Sequence, residues 1–82
     1  MDKLTTATGK EFQTDYLVTI AHPAMMYVRI VGSDSATVNG VFRNPEETAR
    51  LTCAGVEYDG YTKFLGITDE GNALKVRLEK VG

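Results

Sequence analysis

The sequence predicts a mainly β domain, with about six antiparallel strands curled into a small roll or open barrel and one short helix. Several short stretches alternate apolar and polar side chains at period two, the rhythm of strands with one buried face. Turn-forming residues punctuate them, at Ala7-Thr8-Gly9-Lys10, Ala21-His22-Pro23-Ala24, Asn44-Pro45-Glu46-Glu47, Ala54-Gly55 and Thr68-Asp69-Glu70-Gly71-Asn72. A single segment, after Ser33, spaces its apolar residues as a helix does.

Lys3 to Thr6 and Glu11 to Ile20 read as the first two strands. In the second, Phe12, Tyr16, Val18 and Ile20 share one parity and Glu11, Gln13 and Asp15 the other, which predicts that the first set faces the core. Pro23 stops this strand because it supplies no N–H to a ladder, and Met25 to Val31 forms the third. Val38, Val41 and Phe42 then fall at i, i+3 and i+4, the stripe of a short helix capped by Ser33 or Asp34. Asn39-Gly40 is also a strong hairpin dipeptide, but a hairpin would have very short arms before Asn44-Pro45, so the helix is preferred.

Thr48 to Cys53 reads as a strand with Ala49, Leu51 and Cys53 inward, turning tightly at Ala54-Gly55. The next stretch, GVEYDGYTKFLGI from Gly55 to Ile67, loses its phase near Gly60. A one-residue bulge there would turn Tyr61, Leu65 and Ile67 inward, but Lys63 with them. An unpaired ammonium is costly to bury, so a straight strand is expected, with Tyr61, Lys63, Leu65 and Ile67 facing outward. The last strand, Ala73 to Val81, alternates Leu74, Val76 and Leu78 with Lys75, Arg77 and Glu79. Paired with its neighbour, it would bring Lys75 and Arg77 beside the outward row.

Eighty-two residues make one domain, 1–82, with a thin core, since a fold this small buries only about 60% of its unfolded surface. A hydrophobic fraction of 43% against 24% charged residues is that of a globular chain. A net charge of -2 creates no field that would draw nucleic acid or an anionic membrane, so both are disfavoured as partners. The lone Cys53 allows no internal disulfide, and the first residues lack the apolar core of a signal peptide. These features predict a cytoplasmic chain.

Catalytic chemistry is not indicated. His22, the only histidine, lies in a loop without a nucleophile or an orienting carboxylate in its neighbourhood, and Cys53 shares the inward parity of Leu51. One histidine and one cysteine do not make a zinc spacing, and Asp69-Glu70-Gly71-Asn72 lacks the ligand rhythm of a calcium loop. Glycines at 55, 60, 66 and 71 follow turns rather than a phosphate loop, and the carboxylates of Glu57 and Asp59 read as a solvated strand face. Tyr58, Tyr61 and Phe64 could suggest base stacking, but Tyr58 lies between two acids. The expectation is a non-enzymatic chain with no cofactor or metal.

The segments LTTATGKEF, MYVRIVGSDSATVNGVFRNPEET and YDGYTKFLGI, followed by a short alternating terminal strand, span most of the chain. In this order the chain resembles small β-rich proteins encoded in phages and prophages of Gram-positive gut bacteria. The resemblance implies a phage origin and action by binding proteins. It also supports a helix after Ser33, from which pattern Asn39-Gly40 departs. The expected function is a protein-interaction module, either a virion or tail accessory component or a small inhibitor of a host defence system. Its partner would be a phage structural protein, a host protein or a second copy of the chain. Tyr61, Lys63, Leu65, Ile67, Lys75 and Arg77 form the expected partner-binding face. The alternative is a small-molecule or nucleotide binder with its pocket at the mouth of the roll, near Tyr58, Thr62 and Phe64.

Overall fold

At Gly60 the chain changes from one edge of the sheet to the other. The computed structural model describes residues 1–82 and contains strands β1 (Asp2–Thr5), β2 (Glu11–Ile20) and β3 (Met25–Val31), then helices α1 (Ser35–Phe42) and α2 (Pro45–Thr48). Strands β4 (Arg50–Cys53), β5 (Val56–Asp59), β6 (Lys63–Asp69) and β7 (Ala73–Glu79) complete it. All seven strands belong to one antiparallel sheet in the order β5-β4-β1-β2-β3-β7-β6. The expected single strand from Gly55 to Ile67 is therefore two, which raises the count from six to seven.

Neither expected course of that stretch occurs. A flat sheet of seven strands would hold its edges roughly 29 Å apart, whereas the connector Gly60-Tyr61-Thr62 reaches at most about 14 Å. The sheet must curl. Gly60 adopts φ +85°, open to glycine at little cost, and its N–H donates to Ala49 O at 2.9 Å while its carbonyl accepts from Val81 N at 3.0 Å. One residue thus ties the β4 side of the sheet to the end of β7.

Inside the curl, Leu4, Phe12, Met26, Val28, Ile30, Leu51, Cys53, Leu74, Val76 and Leu78 form the core. Helix α1 closes it by inserting Val38, Val41 and Phe42, and the Phe42 ring meets Phe12 at 5.3 Å between centroids. The helix forms despite Asn39-Gly40 because its apolar stripe is buried and Asp34 caps it, accepting from Thr37 N at 2.7 Å. Bonds from the Thr37 backbone hold the Asp34 carboxyl below its ordinary pKa. The Asn44-Pro45-Glu46-Glu47 turn is itself a short second helix, with Asn44 as cap and Pro45 in its first turn. Its end leaves Ala49 exposed rather than inward.

Two slips of phase do occur, at positions other than Gly60. In β2 the pairing with β3 shifts between Thr14 and Tyr16, so that Asp15 is a bulge. Thr14 pairs with the buried Ile30, but Tyr16, Val18 and Ile20 then pair with Arg29, Tyr27 and Met25, on the outer face. Phe12 alone of its predicted set enters the core. In β6 the pairing with β7 shifts between Phe64 and Gly66, making Leu65 the extra residue.

Candidate functional site

The outer face of β2, β3, β7 and β6 is built from three rows fixed by strand pairing. Tyr16, Arg29, Lys75 and Thr68 form one, Val18, Tyr27, Arg77 and Gly66 the next, and Ile20, Met25, Glu79 and Lys63 the third. Leu65 bulges beside the last two. Tyr16 (49% exposed), Ile20 (41%) and Leu65 (36%) are three of the six large apolar side chains that the fold leaves in water. All three lie on one face, Tyr16 and Ile20 on its β2 side and Leu65 on its β6 side, with the side chains of β3 and β7 between them.

Charges on this face divide into paired and unpaired. Arg29 is held by Asp15 at 3.1 Å and Glu70 at 3.6 Å, and Lys63 by Glu79 at 3.5 Å. Lys75 and Arg77 take part in none of the ion pairs. The Lys75 ammonium lies 5.1 Å from the centre of the Tyr27 ring, a cation–π contact that leaves its charge uncancelled. Arg77 lies against Gly66, with its Nε enclosed and bonded to no protein acceptor. Two cations outside any ion pair therefore stand on β7, between Tyr16 and Ile20 on one side and Leu65 on the other.

Of the residues expected to bind a partner, Lys63, Leu65, Lys75 and Arg77 are brought together here. Lys63 is exposed, as the cost of burying an ammonium requires. Tyr61 and Ile67 are corrected. Tyr61 lies in the connector rather than in a straight strand and is 8% exposed within the core, with the Lys80 ammonium 6.0 Å from its ring centre. Ile67 is turned inward by the Leu65 bulge, pairs with the fully buried Val76 and packs on the core. Sequence reasoning missed Tyr16, Val18 and Ile20 as outer-face residues. Its available signal was Leu17, an apolar residue on the polar parity just after Asp15.

A second feature is a cleft of about 300 Å³ where β1 begins between β2 and β4, lined chiefly by Asp2, Thr14, Leu17, Cys53, Ala54 and Tyr58. Burial, then the charge of Asp2, pushes the Cys53 thiol above its ordinary pKa, which keeps it protonated and a poor nucleophile. Tyr58 lines this cleft, but Thr62 and Phe64 line no cleft, and the Arg43 guanidinium lies 5.0 Å over the Phe64 ring. The pocket expected around Tyr58, Thr62 and Phe64 is not formed.

The third polar cluster is structural. Glu47, 4% exposed, accepts from Thr6 Oγ1 at 2.7 Å, Thr8 Oγ1 at 2.5 Å and the Lys10 ammonium, while its backbone carbonyl accepts from Ala7 N at 3.0 Å. These bonds, led by that from Lys10, lower the Glu47 pKa to about 2. The TTATGK turn is thus closed around a carboxylate of its own chain. No group of three His, Cys, Asp or Glu side chains converges on a point, and no helix is long and apolar enough to cross a membrane. Compared with family models, curated proteins and solved structures, the chain finds no match.

Proposed function

We propose that this chain is a non-enzymatic interaction module that binds a protein partner through the outer face of β2, β3, β7 and β6. The observation that supports this reading is that one sheet face carries exposed Tyr16, Ile20 and Leu65 together with Lys75 and Arg77, two cations outside any ion pair. A protein surface with apolar side chains and carboxylates complements that combination. Two ion pairs, Arg29 with Asp15 and Lys63 with Glu79, lie on the same face. The sequence resemblance further suggests a phage or prophage setting, with the chain serving as a virion or tail accessory component or as an inhibitor of a host defence system.

Site-specific photo-crosslinking tests the face. A photoreactive phenylalanine analogue placed at Tyr16 or at Leu65 in producing cells is expected to give a discrete protein adduct. The same analogue at Glu57, exposed on β5, should give none. The adduct should disappear in a Lys75→Glu, Arg77→Glu background that unfolds like the parent. Identical adducts from all three positions, or none from position 16 and position 65, would reject the reading.

A further inference from the structure

Three stretches of strand of four or more residues have an unpaired side, and two of them carry features that hinder addition of another strand. β5 is four residues long and bears Glu57 and Asp59, while β6 is bent by the Leu65 bulge and bears Lys63 and Asp69. Short length, charge and bulges are the usual protections of an edge. The third stretch is the outer half of β2. β1 pairs with β2 only over Glu11 to Thr14, and no other strand lies on that side. The Tyr16 backbone is occupied, since its N–H donates to Thr14 Oγ1 at 3.3 Å and its carbonyl accepts from the same hydroxyl at 3.0 Å. Leu17-Val18-Thr19-Ile20 remains, with no charge, proline, glycine or bulge to protect it.

This flank borders the cleft described above. Leu17, Cys53, Ala54 and Tyr58 supply apolar side chains to its lining, beside the polar Asp2, Thr14 and Asp15. Asp2 has no cation within ion-pair distance, and Asp15 has only Arg29. A second copy is a poor occupant, because its own β2 and the chain up to Val28 hold no Lys or Arg to meet those acids.

We propose that the Leu17–Ile20 flank accepts an extended segment of a protein partner, antiparallel to β2 and in line with β1. An apolar side chain of that segment fills the cleft and its basic side chains meet Asp2 and Asp15. This rests on the protein-binding reading and adds how the partner is gripped. Backbone pairing supplies the hold, while the cleft and its acids select an alternating apolar and basic strand.

The test uses the full chain, ¹⁵N-labelled, and the synthetic peptide acetyl-Lys-Val-Thr-Val-Lys-Val-Thr-amide. Its controls carry Glu in place of both lysines, or N-methyl groups on alternate amides. Saturable shift changes are expected at Thr14 to Ile20 and Cys53 to Tyr58, with slowed exchange of the flank amides that do not bond to β3. At low salt the lysine peptide should bind about fivefold or more tightly than the glutamate peptide, and Asp2→Asn with Asp15→Asn should remove that preference. The N-methylated peptide should not bind. Equal binding by all three peptides, or no binding, overturns the proposal. Shifts confined to Tyr27, Leu65, Lys75 and Arg77 also overturn it but leave the outer-face reading standing. Light scattering that finds two copies, with the flank amides already slow to exchange, would give the place to a second copy and overturn it as well.

Discussion

The Arg77 guanidinium rests against Gly66, so closely that a Cβ at position 66 would come within 2.7 Å of Arg77 Nη2. Gly66 also has φ +141°, where L side chains are strained. Gly66→Ala is expected to destabilise by about 1–3 kcal/mol, mainly through backbone strain because the arginine end can move. Urea unfolding would measure this, and a loss below about 0.5 kcal/mol would show that the bulge relaxes freely.

Glu47 and its three donors predict acid sensitivity. Its pKa is lowered to about 2 from the ordinary 4.5, so its ionised form contributes stability that is fully present above 4.5 and is lost as pH falls toward 2. The contribution is on the order of 2 kcal/mol, allowing for solvent screening at the half-exposed Lys10. Glu47→Gln should lose a similar amount at neutral pH and show a flatter stability profile between those two pH values, read by denaturant titration. A parallel profile for the parent and the variant would contradict this.

Tyr61 and Lys63 should behave oppositely. Tyr61→Ala removes a core ring and is expected to cost about 2–4 kcal/mol, whereas Lys63→Ala loses one exposed ion pair and should stay within about 0.5 kcal/mol. Thermal unfolding of both variants checks the assignment. A harmless Tyr61→Ala would place that ring outside the core.

Thr14 holds the Asp15 bulge through both of its bonds to Tyr16 and is buried itself. Thr14→Val keeps the shape and removes the hydroxyl, with an expected loss of about 1–2 kcal/mol. Amide exchange at Tyr16 should quicken in the variant. Unchanged exchange would show that the bulge is held by side-chain packing alone.

The Ala54-Gly55 turn offers a stabilising change. Ala54 has φ +53° and Gly55 φ +78°, the two left-handed residues of a two-residue hairpin turn. Ala54→Asn supplies the residue that tolerates this conformation and should raise stability by roughly 0.5–1 kcal/mol. An unchanged or lowered unfolding midpoint would argue that this turn carries no strain.

Legibility followed locality. Leu74, Val76 and Leu78 were readable as the inner face of β7 because nothing interrupts their alternation, and all three are buried. Val38, Val41 and Phe42 marked α1 in the same way, through spacing within one helix. The candidate face was half readable. Lys63 is placed outward by the cost of burying charge, and Lys75 and Arg77 by the alternation along β7, whereas Tyr61 and Ile67 lie inward against expectation. The sequence around Glu47 shows only a polar turn, since its donors lie some forty positions away.

From the sequence alone come the β class, the one helical stripe and the outward course of the lysines and arginines, because alternation, caps and desolvation act within a few residues. The tertiary structure decided where the phase slips, at Asp15 and Leu65, and which edge each half of GVEYDGYTKFLGI joins. Those choices depend on which partner strand offers hydrogen bonds and which interior volume remains to be filled, and distant parts of the chain set both. Tyr16, Val18 and Ile20 face water for that reason.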